Sequence, residues 1–438
     1  MIIYILKKKL VGGLKKKLIF FIFFSFLFFS NISKSGQIFD YETEIFLNKL
    51  LFNIKAVNNY EKEIKVLIIK DSDPNAFVIP RNKLIISSGL LEQSPDYVSL
   101  LAVLAHEVGH LEYFHLEKRQ ESLDQFSKLN LMSNLALITG SILTNEPQVL
   151  GGTIANQANI NNFYLSFSRE QEREADLYSI KTLEKMNLSS ESIKKFLQIL
   201  EKNALIKGYN EDYQKFSTHP IFRERYEIIE YNSKNKIFDF DSSIQNEFNF
   251  IKAKFMGYNN NLNTDILEND YKIYYESINN SKLGNLKTSL KQINFLIGKF
   301  PQNKFLLETK GDILRSHGFV NESIRFYKIV LNEYPDNYYI KYKIFLDTNT
   351  DNFDLNKKIN YFYNNINLII QFPKNKYIIN KFLEVAKNLE KIYWINFFNI
   401  INQTDNIKVE EYKEKLTNLS KETDEIKLKR IINKYKKL

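Results

Sequence analysis

His106-Glu107-Val108-Gly109-His110 is an H-E-x-x-H pentapeptide, and Glu172-Arg173-Glu174-Ala175-Asp176 follows further along the chain. Residues four apart on a helix sit about 40° apart around its axis, so His106 and His110 face the same way. Two neutral imidazoles on one face can hold Zn²⁺, and a glutamate beside the first can take a proton from a metal-bound water. The 438-residue chain has only 5 His, so a chance pair at this spacing around a glutamate is rare. The competing reading is a solvated helix carrying a coincidental match. The flank argues against it. Tyr97-Val98-Ser99-Leu100-Leu101-Ala102-Val103-Leu104-Ala105 runs apolar into His106, and a buried helix places a metal where its charge is little screened. Gly109 costs that helix about 1 kcal/mol against Ala, which suggests that something packs close to the backbone there. His115 is nine residues from His106, about 180° around a continued helix. We read it as a supporting or packing histidine.

A catalytic zinc needs three protein ligands and one open position. Residues 163–186 read as a charged helix on which Glu172 and Asp176 share a face. If Glu172 binds the metal, Asp176 one turn away can orient a ligand imidazole through its other N–H. Spacing alone leaves Glu170 and Glu174 open as well. Each of these acids can equally be a solvated partner of Arg169 or Arg173.

Taken together, these segments resemble metallopeptidase family 48. In that family H-E-x-x-H precedes a helix with E-x-x-x-D, here Glu172 and Asp176, with Ser168-Arg169 just upstream. The family's N-A-F-x-x-P stretch, short strand and G-L-L match Asn75-Ala76-Phe77-Val78-Ile79-Pro80, Lys83 to Ser88, and Gly89-Leu90-Leu91. Arg81-Asn82 stand where the family usually has two glycines. Thr218-His219-Pro220 with Arg225 downstream completes the pattern, which covers about residues 40–235. The resemblance implies a zincin-like α+β metalloprotease domain, mostly helical with a small sheet. It implies one Zn²⁺ per chain on His106, His110 and Glu172, with Glu107 as catalytic base and Asp176 and Arg225 in supporting or regulatory roles.

Around this centre, Ile64 to Ile69 and Leu84 to Ile86 are β-branched runs that read as strands, with Asp71-Ser72-Asp73-Pro74-Asn75 as a turn. The segment from Asn75 through Ala76 and Phe77 to Ile79 is the candidate edge strand for pairing with an extended substrate backbone. An ordinary buried strand is the alternative. His219, held out of helix by Pro220, can block the metal as a fourth ligand, stabilise an oxyanion, or make a structural hydrogen bond.

The N-terminus reads as a signal peptide over residues 1–35. Lys7 to Lys9 and Lys15 to Lys17 precede an apolar Leu18 to Phe29, and Ser33-Lys34-Ser35 offers a cleavage site. An uncleaved inner-membrane anchor is the alternative. The chain has no Cys, which removes lipoprotein attachment and suits an oxidising compartment. Residues 1–35 hold seven Lys and no acid, so they supply most of the net charge of +10. The remaining lysines are scattered among acids, and no nucleic-acid footprint is read. Leu129 to Leu143 is too short to span a membrane. The loop at 148–153 reads as a lid over the cleft or a plain connector.

Beyond residue 240 the pattern changes. Pro301 and Pro335 are 34 residues apart, as are Gly284 and Gly318, and Pro373 follows 38 residues on. This period resembles the tetratricopeptide repeat. Leu307, Gly311, Leu314, Gly318, Ser323, Tyr327 and Val330 take its consensus places. The chain therefore divides into a signal peptide (1–35), a zinc metalloprotease domain (36–237) and an all-α, tetratricopeptide-like helical repeat domain (238–438). With this pairing the chain resembles periplasmic members of the family that act in outer-membrane protein assembly and quality control. Its expected substrates are unfolded or misassembled envelope proteins. The repeats are expected to bind substrate or the outer-membrane assembly machinery, with at most peripheral membrane contact. The competing class is a non-proteolytic envelope chaperone or scaffold in which the repeats carry the function. A membrane-embedded protease is disfavoured by the lack of a long apolar span after residue 35.

Overall fold

Short β-branched segments and long amphipathic ones divide the chain between one small sheet and many helices. The computed structural model describes residues 36–118, 167–206, 223–232, 240–373, 375–403 and 409–436. Residues 1–35, read as a signal peptide, Leu129 to Leu143, residues 148–153 and His219 lie outside the described residues.

Strands β1 (Gln37–Ile38), β2 (Lys65–Ile69), β3 (Ala76–Ile79) and β4 (Lys83–Ser87) form a sheet of order β1-β2-β4-β3. β2 runs parallel to β4, while β1 and β3 are antiparallel to their neighbours. β3 is thus an edge strand, and its four residues are all buried. It turns into β4 through Arg81 and Asn82, whose φ values of 66° and 51° are both left-handed. The register pairs Ile79 with Lys83, so Pro80, Arg81 and Asn82 form a three-residue loop whose last two residues take a conformation more usual for glycine.

Helices α1 (Tyr41–Asn58), α2 (Ser88–Gln93) and α3 (Tyr97–Glu112) build the core with the sheet. Asp96 caps α3, accepting from the Ser99 backbone N–H at 2.7 Å and from its hydroxyl at 2.8 Å. Leu47, Leu50, Ile54, Leu84, Ile86, Leu100, Leu104 and Val108 are fully buried together. Gly89 at the start of α2 lies under the β2–β3 connection. A Cβ there would meet the Ser72 carbonyl oxygen at 2.2 Å, so no side chain fits. Helices α4 (Arg169–Lys185), α5 (Glu191–Ile206) and α6 (Arg223–Asn232) close the other side of α3.

Helix α7 (Ser242–Asn259) serves two cores. Its Phe248, Ile251 and Phe255 belong to the first, and Phe250, Ala253 and Met256 to a second formed with the helices that follow. Two helical hairpins come next, α8 (Asn269–Lys282) with α9 (Leu286–Lys299) and α10 (Phe305–Ser316) with α11 (Val320–Glu333). Gly284 and Gly318, at φ 83° and 84°, turn each hairpin. α12 (Tyr338–Asp347), α13 (Leu355–Asn365), α14 (Leu368–Gln371), α15 (Lys376–Asn388), α16 (Ile392–Asn402), α17 (Val409–Glu422) and α18 (Ile426–Tyr435) continue the all-helical array around an aromatic core of Phe362, Phe382, Trp394 and Phe398.

The array packs back onto the start of the first domain. Phe39 meets Tyr339 and Phe372, with ring centroids 5.3 and 5.4 Å away, and the Tyr339 hydroxyl donates to Glu44. Lys254 of α7 sits buried between Asp40 at 2.7 Å and Glu42 at 2.6 Å. Among the described residues, no helix is long and apolar enough to cross a membrane.

Candidate metal centre

His106 and His110 lie on α3 with their Nε2 atoms 3.1 Å apart. The α4 helix crosses α3 at Gly109. A Cβ on that glycine would stand 3.0 Å from the Tyr178 Cβ and 3.1 Å from the Ala175 Cα. The bare backbone lets the two helices approach, and the Ser179 hydroxyl stitches them by donating to the Ala102 carbonyl at 2.7 Å. Glu172, one turn before Asp176 on α4, is thereby driven into the space between the two imidazoles. Its oxygens lie 3.4 Å from His106 Nε2 and 3.6 Å from His110 Nε2.

These distances test whether a metal fits. Three donors each about 2.0–2.2 Å from one tetrahedral ion lie roughly 3.3–3.6 Å apart. The two Nε2 atoms are 3.1 Å apart, Glu172 Oε2 is 3.4 Å from His106 and its Oε1 3.6 Å from His110, so the donors lie close to that spacing. His106 is 6 % exposed and His110 and Glu172 are fully buried. Nitrogen, nitrogen and carboxylate oxygen are also the donor set that suits zinc. Among the described residues, His106, His110 and Glu172 are the group able to hold a metal ion.

The surroundings orient these donors. Asp176 Oδ1 is 2.9 Å from His106 Nδ1, so the ring's Nε2 is left facing Glu172. Arg225 of α6 grips Asp176 with two bonds of 2.7 Å and reaches Glu172 at 3.2 Å. Burial and the Arg225 and His106 charges act oppositely on Asp176. The cations prevail and hold its carboxyl below the usual range. Burial also pulls His106 down, but Asp176 and Glu172 outweigh it and leave the imidazole above its ordinary value. Glu107, on the same helix as the two histidines, is also fully buried, and its carboxyl group adds to the field at Arg225.

The other expected residues distribute as follows. Glu170 pairs with Arg173 at 4.0 Å on the exposed face of α4. Glu174 points to His115, not to the two histidines of the pentapeptide. Ala76 and Phe77 lie on β3, which packs beside α3, and Asn75 directly precedes it. A continued α3 would carry His115, a supporting or packing histidine by its sequence, to the far side of the helix. Instead α3 ends at Glu112, and Phe114 adopts φ 57°. This turns the chain back and brings His115 Nδ1 to 2.8 Å from His110 Nδ1. Sequence reasoning also missed Phe167, whose ring stacks on His110 with centroids 3.8 Å apart. The only available signal was an aromatic residue directly ahead of the Ser168 cap.

Residues 47–233 match peptidase family M48. The chain carries a peptidase family M48 domain. The chain is 22 % identical over 286 residues to the beta-barrel assembly-enhancing protease of Escherichia coli, a match covering 62 % of this chain and 58 % of that protein. The protein of the same name from Yersinia pestis is 23 % identical over 213 residues, covering 48 % and 42 %. The mitochondrial metalloendopeptidase OMA1 of Schizosaccharomyces pombe is 25 % identical over 190 residues, covering 43 % and 52 %. The chain thus spans less than two thirds of the length of these curated relatives. All of the residues grouped above lie inside the M48 match.

Proposed function

We propose that the protein is a zinc metalloendopeptidase that works in the cell envelope on unfolded or misassembled proteins. The observation that carries this reading is the convergence of His106, His110 and Glu172 on one buried point beside Glu107. In this reading those three side chains hold one Zn²⁺. When bound, the metal supplies a Lewis acid that makes an attacking water more acidic and polarises the scissile carbonyl. Glu107 takes the proton of that water and passes it to the departing amide nitrogen, acting as base and then as acid. Asp176, clamped by Arg225, holds His106 in the tautomer that leaves Nε2 free to ligate. The edge position of β3 supports pairing of an extended substrate along Asn75, Ala76 and Phe77, since peptide strands can add to the edge of a sheet. Arg225 lies 3.2 Å from Glu172 and, against the effect of burial, helps to hold the Asp176 carboxyl below its usual range.

The finer parts of the reading rest on other features. Residues 1–35 support export to the periplasm. The 34-residue period, the matched left-handed glycines and the tight fit of Gly311 against Tyr327 support a tetratricopeptide-like array. Arrays of that kind bind peptides or partner proteins. The names of the bacterial relatives support a role in outer-membrane protein assembly, with the array engaging substrate or the assembly machinery. A scaffold without proteolysis is the weaker reading, because a purely structural metal site has no use for a base at Glu107.

The test compares wild type with Glu107→Gln. Wild type is expected to bind about one zinc per chain and to cleave an unfolded protein. The variant is expected to keep the metal and lose cleavage by several orders of magnitude, because the base is absent. Elemental analysis and a gel-based cleavage assay read both. Full proteolysis by Glu107→Gln would remove Glu107 from the mechanism.

A further inference from the structure

His106 and His110 are supported differently. His106 leans on the clamped carboxylate of Asp176. His110 Nδ1 stands 2.8 Å from another imidazole nitrogen, Nδ1 of His115, and His115 Nε2 stands 2.8 Å from Glu174 Oε2. His115 is fully buried, while the Glu174 side chain is 41 % exposed. The three groups therefore form a chain from the centre of the site to the surface of α4.

Proton bookkeeping gives this chain a direction. A ligand nitrogen must offer a lone pair, so His110 can bind a metal through Nε2 only if its proton sits on Nδ1. That Nδ1–H must then be donated to His115 Nδ1, which has to be a bare acceptor. A neutral His115 with a bare Nδ1 carries its proton on Nε2, which faces the Glu174 carboxylate, an acceptor in its ionised form. Every bond in the chain is satisfied by this arrangement. If His115 were doubly protonated, it would present a donor against the donor of His110. If it carried its proton on Nδ1 alone, it would also turn a bare Nε2 toward a carboxylate.

We propose that His115 and Glu174 are positioning residues that fix His110 in the tautomer able to hold the metal. This rests on the zinc centre proposed above. It also gives the second acid of Glu172-Arg173-Glu174 a role distinct from that of the first. The segment that makes it possible is the left-handed turn at Phe114. Tyr113 and Phe167 keep the relay dry, with ring centroids 5.8 and 6.1 Å from His115.

The experiment measures zinc affinity by chelator competition in the full chain, with folding checked by circular dichroism. His115→Phe keeps a ring of similar size and removes both nitrogens, and is expected to weaken zinc binding roughly 10–100-fold. Glu174→Ala should lose affinity in the same direction but less. Glu174→Gln, whose amide oxygen still accepts from His115, should restore it toward wild type. Nitrogen-15 spectra of the zinc-loaded wild type should show His115 neutral and protonated on Nε2. The proposal is overturned by wild-type affinity in a folded His115→Phe. It is overturned equally by His115 found as imidazolium or protonated on Nδ1. If His115→Phe does not fold, Glu174→Ala, altered at a partly exposed position, decides: undiminished affinity there sinks the relay. Wild type that takes up no zinc removes the metal centre and the relay with it. Tight wild-type binding with unaffected variants removes the relay alone.

Discussion

Arg81 and Asn82 hold a left-handed turn that most side chains avoid, with φ values of 66° and 51°. Asparagine tolerates that region through local hydrogen bonding, while arginine gains nothing from it. The strain sits next to β3, whose edge position we relate to substrate. Arg81→Gly is expected to stabilise the protein by about 1 kcal/mol, since relief of the left-handed cost outweighs the added chain entropy. A denaturant titration reads this directly, and an unchanged or lower midpoint would show that the turn is not strained. Phe114 shows the same device put to other use. Its left-handed φ of 57° ends α3 and returns His115 to the site.

The closeness of α3 and α4 sets the geometry of the metal centre. Glycine at 109 is unfavourable to α3 by itself, costing about 1 kcal/mol of helix propensity. Its value lies in letting Ala175 and Tyr178 approach, which brings Glu172 within 3.4–3.6 Å of both imidazoles. Gly109→Ala therefore sets two effects against each other. The variant is expected to unfold near the wild-type temperature, because better helix propensity offsets the tighter contact. Its zinc affinity is expected to fall by roughly tenfold or more, since ligand positions must hold to about 0.5 Å. Equal zinc affinity in chelator competition would show that α4 can shift without moving Glu172.

The joint between the M48 domain and the helical array is charged and largely dry. Glu308 of α10 accepts from the Asn337 side-chain amide at 3.0 Å and faces Lys343 at 3.7 Å. Burial pushes its carboxyl up to about 7; Lys343 and Lys254 oppose the shift, and Asp312 and Asp40 add to it. The folded state thus holds this proton more tightly than the unfolded chain, whose glutamate titrates near 4.5. The resulting stabilisation is complete below about pH 4.5 and is lost as pH rises through about 7. Glu308→Gln cannot ionise. Relative to wild type it should gain on the order of 2 kcal/mol between pH 5 and pH 8. Melting temperatures of both proteins at the two pH values measure this. A difference between them that does not change with pH would mean that Glu308 stays ionised in the folded protein.

Much of this molecule was legible in local pattern. The four-residue spacing of His106 and His110, the apolar run before them and the β-branched strands express helix or strand periodicity, which the backbone imposes within a few residues, and the 34-residue interval of Gly284 and Gly318 marks a repeated left-handed hairpin turn. Gly109 was legible as a close approach because a glycine inside a buried helix has a cost that packing must offset. What periodicity left open was which of Glu170, Glu172 and Glu174 meets the histidines. All three lie on one helix, and only the crossing of α4 over α3 separates them: Glu170 faces solvent, Glu172 the imidazoles and Glu174 His115. The return of His115 was also beyond local pattern, because it depends on one left-handed residue after the helix has ended. The same holds for α7, which divides its faces between two cores, and for Glu308, whose proton affinity is raised by burial against the opposing lysines of α7 and α12. These outcomes are contacts between segments distant in sequence, and only the folded chain brings them together.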